Sequence, residues 1–106
     1  MIEESDHEGY KKTMSWVIGS ESQKSWANKV LDRKVEMIND LIINSYYKDL
    51  ITEEEGNYFR EVVEKEILRK NDANWWIDNR YDQTRVLLHK LVKYDDKAMD
   101  ILEKMA

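Results

Sequence analysis

No proline interrupts this chain, and glycine occurs only at positions 9, 19 and 56. Those two residues are the usual punctuation of turns and loops, so their scarcity restricts the chain to helices joined by short connections. The hydrophobic spacing agrees. Ser20 opens "SESQ", a capping box in which the serine hydroxyl accepts from the Gln23 backbone N–H while the Gln23 side chain reaches back. Trp26, Val30, Leu31, Val35, Ile38, Leu41, Ile42 and Tyr46 then recur at steps of three and four, which predicts one long amphipathic helix ending near Leu50.

A second capping box, Thr52 with Glu55, starts another helix that carries Tyr58, Phe59, Val62, Val63, Ile67 and Leu68 to about Lys70. The short connection between the two predicts an antiparallel hairpin. After "KND", Asp72 or Asn74 can cap a third helix with Trp76, Ile77, Tyr81, Thr84, Leu87, Leu88, Leu91 and Val92 on one face. Asp95 or Asp96 can restart a short fourth helix bearing Ala98, Met99, Leu102 and Met105, and an unbroken helix through this point is the alternative. The fold expected is all-α: a three- or four-helix bundle built on the long hairpin, forming one domain over residues 1–106. Residues 1–12 are polar and expected to be flexible. Met14, Trp16 and Ile18 alternate as in a short extended piece, with Trp16 packed on the helices.

Composition narrows function by exclusion. Without cysteine there are no disulfides, thiolate metal sites or cysteine nucleophiles, which suits a reducing cytoplasm. No apolar run reaches the length that spans a bilayer, and the acidic opening "MIEESDHEGYKK" lacks the pattern of a secretory signal. The net charge of −5 is spread along the chain and repels nucleic-acid phosphates and anionic membranes on average. Lys29, Arg33 and Lys34 form one basic cluster, and Arg80, Arg85, Lys90 and Lys93 form a sparser one. Acids at Asp32, Glu36, Asp78 and Asp82 dilute both, so a solvated helix face is favoured over direct nucleic-acid binding.

Catalytic and metal-binding patterns are missing as well. His7 and His89 have no helix-spaced partner of the kind zinc needs, and glycine clusters for phosphate are absent. Asp95, Asp96, Asp100 and Glu103 lack calcium-loop spacing. Asp78 and Asp82, one turn apart and followed by Arg85, read as a salt ladder on a helix face. No cofactor, no metal and no enzymatic activity are expected.

The stretch "NDANWWIDNRY" remains. On a helix, adjacent residues point about 100° apart, so Trp75 and Trp76 cannot share one core stripe. Trp76 continues the stripe, which leaves Trp75 to cover another surface. It either caps the bundle end beside Trp26, with Asp78, Asn79 and Arg80 satisfying indoles and helix ends, or joins Arg80 and Tyr81 in an exposed anchor of the residue types common at binding hot spots.

"GSESQKSWANKV" together with "ANWWIDNR" resembles a group of small proteins carried by phages, plasmids and other mobile elements. They share a Gly-Ser-x-x-Gln-x-x-Trp-Ala start and a Trp-Ile-Asp near the other end. Gly19, Ser20, Gln23, Trp26, Ala27, Trp76, Ile77 and Asp78 match, and the likeness covers roughly residues 14–82. It implies a mobile-element origin, with Ser20, Gln23, Trp26 and Trp76 as structural positions. Co-occurrence of the motifs would follow if Trp26 stacked on Trp76 and Asp78 bonded one of the indoles.

The function expected from these readings is non-enzymatic: a cytoplasmic protein that binds and inhibits or modulates a host protein or ribonucleoprotein, of the anti-CRISPR or wider anti-defence type. Trp75, Asp78, Arg80 and Tyr81 are the anchor, and acidic faces would compete with nucleic acid for a basic partner surface. The alternatives are a nucleic-acid-associated accessory protein of replication or packaging, dependent on Lys29, Arg33 and Lys34, or a toxin-neutralising immunity protein. A homodimer seam is a further use for the Met and aromatic content.

Overall fold

A computed structural model describes residues 18–105. The expectations for residues 1–12, for His7 and for Met14 and Trp16 lie outside the described residues. Within them the chain is all-α, in five helices: α1 (Glu21–Tyr47), α2 (Glu53–Arg69), α3 (Ala73–Asp78), α4 (Thr84–Val92) and α5 (Asp96–Lys104). No described helix is long and apolar enough to cross a membrane.

Both capping boxes form. The Ser20 and Thr52 hydroxyls accept from the backbone N–H groups of Gln23 and Glu55, whose side chains accept from the cap N–H groups at 2.9 Å. Each box satisfies donors that a helix start otherwise leaves unpaired. The first helix ends as a Schellman turn. Asp49 takes a left-handed φ of 60°, and the Asp49 and Leu50 N–H groups donate to the Tyr46 and Ser45 carbonyls, both at 3.0 Å.

The expected third helix is split. After Asp78 the chain turns through residues 79–83 and restarts at Thr84. The Asn79 side-chain amide donates to the Trp75 carbonyl at 2.6 Å and the Arg80 guanidinium to the Ile77 carbonyl at 2.6 Å, adding side-chain hydrogen bonds to the backbone N–H donors those carbonyls already have. This break makes the helix count five and removes Tyr81 from the core face, leaving it 85% exposed. Asp95 makes the next boundary: its carboxylate accepts from the Ala98 N–H at 2.8 Å and caps α5.

One core runs through all five helices. Leu31, Ile38 and Ile42 of α1, Phe59, Val63 and Ile67 of α2, Trp76 of α3, Leu87, Leu88 and Leu91 of α4, and Ile101 of α5 are buried. The stripe on α1 sits one residue away from the expected one at its start. Ala27 is buried, whereas Trp26 is half exposed. Packing Ala27 inward lets α3 come close to α1, and the bulkier indole goes to the rim. The segment before α1 assists, because Ile18 pairs with Asp72 in an isolated parallel bridge, with Ile18 N–H donating to Asn71 and Ala73 N–H donating to Ile18.

Candidate recognition groove

The two signature segments meet, though not through the atoms expected. Gly19 lies against Ala73, and the Gln23 amide donates to the Asn74 side-chain carbonyl at 3.2 Å. Trp76 is buried, and its indole N–H donates to the Lys70 carbonyl at 2.7 Å, which removes any need for Asp78 as acceptor. Its ring partner is Trp75, edge-on at 4.8 Å, and the half-buried Trp75 carries the Lys70 ammonium 5.4 Å from its ring centre. Trp26 does not stack on Trp76. It stacks on Arg80, whose guanidinium carbon is 4.8 Å from the Trp26 ring and 4.5 Å from that of Tyr81.

Around this contact opens a groove of about 700 Å³, lined by Trp26, Lys29, Val30, Arg33, Lys34 and Met37 of α1 and by Arg80 and Tyr81 of the 79–83 turn. The first six positions recur every three or four residues, so they occupy one helix face beside the core stripe. Four of the eight lining residues are cations and none is an acid. In a chain of net charge −5 that is a strong local inversion.

None of the acids that interleave these cations in sequence lines the groove. The Asp82 carboxylate pairs with Lys90 at 2.7 Å, while its backbone carbonyl accepts from the Lys34 ammonium. Lys90 also donates to the Asn79 side chain at 2.6 Å, which ties the turn to α4. Arg85 does not join a ladder with Asp78 and Asp82. It donates to the Leu102 and Met105 carbonyls at 2.8 and 3.0 Å and closes the end of α5. Asp78 is exposed and does not line the groove.

Lys34 is the inner wall. Only 6% of it is exposed, and burial holds its ammonium below the ordinary lysine value. Asp82 opposes that shift and the neighbouring Arg33 charge adds to it. A cation kept dry beside other cations gains from any anion brought into the groove.

The expected anchor is therefore divided. Arg80 and Tyr81 enter the groove, while Trp75 lies on Trp76 and Lys70, and Asp78 stands apart. Val30, expected on the core stripe, lines the groove instead, and Met37 lines it without having been named; their four-residue steps from Trp26 and Arg33 were the available signal. A second, smaller cavity of about 300 Å³ between α2 and the α4–α5 junction mixes Glu61, Glu66 and Asp95 with Lys65 and Arg69, and has no single sign. No protein-family model, curated protein or solved structure matches the chain.

Proposed function

We propose that this is a non-enzymatic recognition protein whose binding surface is the groove around Arg80, and that its partner presents an anionic segment there. The observation that carries the reading is the convergence of four cations with two exposed aromatic faces, and no acid, in an otherwise acidic chain. Electrostatic complementarity of that kind selects and orients partners. The diffuse acidity of the chain suggested a basic partner surface; the groove supports the opposite sign. On the resemblance to mobile-element proteins, the partner is a host protein or ribonucleoprotein, and binding modulates or inhibits it.

Replacing Met37 with a photo-cross-linking residue tests the reading in the protein's native host. The expected result is one dominant cross-linked species that disappears when Lys29→Glu and Arg33→Glu are combined. A cross-linking pattern unchanged by that charge reversal would overturn it.

A further inference from the structure

We infer that the anionic segment taken by the groove is single-stranded nucleic acid, with bases stacked on Trp26 and Tyr81 and phosphates held by Lys29 and Arg33. This rests on the reading of the groove as the recognition surface and names its ligand class.

The aromatic faces come first. Tyr81 is 85% exposed and Trp26 48%, so each presents ring surface to solvent at the groove edge. Arg80 lies over both rings, which fixes their positions and adds a planar cation to the same platform. Base stacking on such rings is sequence-tolerant, because every base has a π-face.

The cations suit a phosphate chain. Lys29 and Arg33 are four residues apart on α1, which separates them by about 6 Å along the axis. That is comparable to the distance between successive phosphates of an extended strand. Both are exposed, and neither is in an ion pair among the described residues.

An acidic amphipathic peptide fits less well. A docked helix needs a row of apolar pockets at its i, i+3/i+4 and i+7 anchors. Here the aliphatic lining is Val30 and Met37 alone. Near the Met37 end of the groove α1 exposes Glu36 and Asp40, which limits the footprint to a short segment.

The test uses the full chain and a fluorescein-labelled oligothymidylate, read by anisotropy, beside the same sequence as duplex and a labelled polyglutamate peptide. Binding is expected for the single strand, weakening with salt at a log–log slope of about −1.4 for the two phosphates held by Lys29 and Arg33. Trp26→Ala and Tyr81→Ala are each expected to weaken it about 5- to 150-fold, the span of one lost stacking contact. Tyr94 provides the control, since it is 83% exposed and beside Lys93, yet lies outside the groove. Tyr94→Ala should leave affinity unchanged, and an equal loss there would overturn the proposal. Preference for the duplex would overturn it as well. Tight binding of polyglutamate without the oligonucleotide would overturn the ligand class while leaving the groove as the recognition surface. If neither polyanion binds and the Met37 cross-link also survives charge reversal, both readings fail together.

Discussion

Gly19 and Ala73 stand so close that a side-chain carbon built on Gly19 would lie 3.0 Å from the Ala73 Cβ. Neither atom belongs to a flexible side chain, so the contact can be relieved only by moving backbone. Gly19→Ala is expected to destabilise the fold by about 1–3 kcal/mol, the range for an overpacked site. Combining it with Ala73→Gly should cost less than the sum of the two single changes. Denaturant midpoints of all four proteins measure the coupling.

Buried and exposed aromatic residues should separate sharply in energetic cost. Trp76 is fully buried, and Trp76→Ala is expected to cost about 3–5 kcal/mol. Trp76→Phe keeps most of the volume but strands the Lys70 carbonyl, and should cost about 1–3 kcal/mol. Tyr81→Ala, at a residue already in solvent, should stay within about 0.5 kcal/mol. Chemical denaturation followed by circular dichroism distinguishes these cases.

Asp49 offers a change in the other direction. It occupies a left-handed position that a side chain tolerates poorly, at the point where helices commonly carry glycine. Asp49→Gly should raise stability by up to about 1 kcal/mol, and Asp49→Ala should lower it. The pair of thermal midpoints, moving in opposite senses, checks the assignment.

Glu55 links the start of α2 to the end of α5. Its carboxylate is held below the ordinary glutamate value of 4.5, chiefly by the hydrogen bond from Lys104 and then by the Thr52 backbone N–H. A depressed carboxylate contributes stability above its unfolded value, and that contribution is lost as pH falls through the folded value. Thermal melting should therefore decline from about pH 4.5 downward. Asp95, lowered by the Ala98 N–H and by Tyr58 from the ordinary aspartate value of 3.8, adds to the decline at still lower pH. Lys104→Met should make the acid decline shallower without abolishing it, and melting temperature across the acid range reads the difference.

The helix boundaries with capping chemistry were legible in the sequence. Ser20–Gln23 and Thr52–Glu55 announce α1 and α2 because the donors and acceptors are local; at α5 the sequence left Asp95, Asp96 and an unbroken helix open, and Asp95 is the cap. The break at 79–83 was not legible, because hydrophobic spacing continues across it from Ile77 to Thr84 and Leu87. What interrupts the helix is Asn79 and Arg80 bonding to the preceding turn, aided by Lys90 from the next helix.

The site was half legible for a related reason. Arg80, Tyr81, Trp26 and the Lys29–Arg33–Lys34 cluster could all be named, but their assembly depends on that turn. Counting acids along the chain also misjudged the local sign. Asp82 is adjacent in space, yet its carboxylate is committed to Lys90. Sequence distance does not report which way a carboxylate points.

Trp76 and Leu87 on either side of the five-residue connection carry the packing, while Tyr81 on it adds surface to the groove without adding to the core. Tyr81, already in solvent, can be exchanged at small cost to folding, whereas Asn79, Arg80 and Asp82 hold the turn to the helices around it. The outer edge of the groove can thus vary at that one position while the helical frame stays the same.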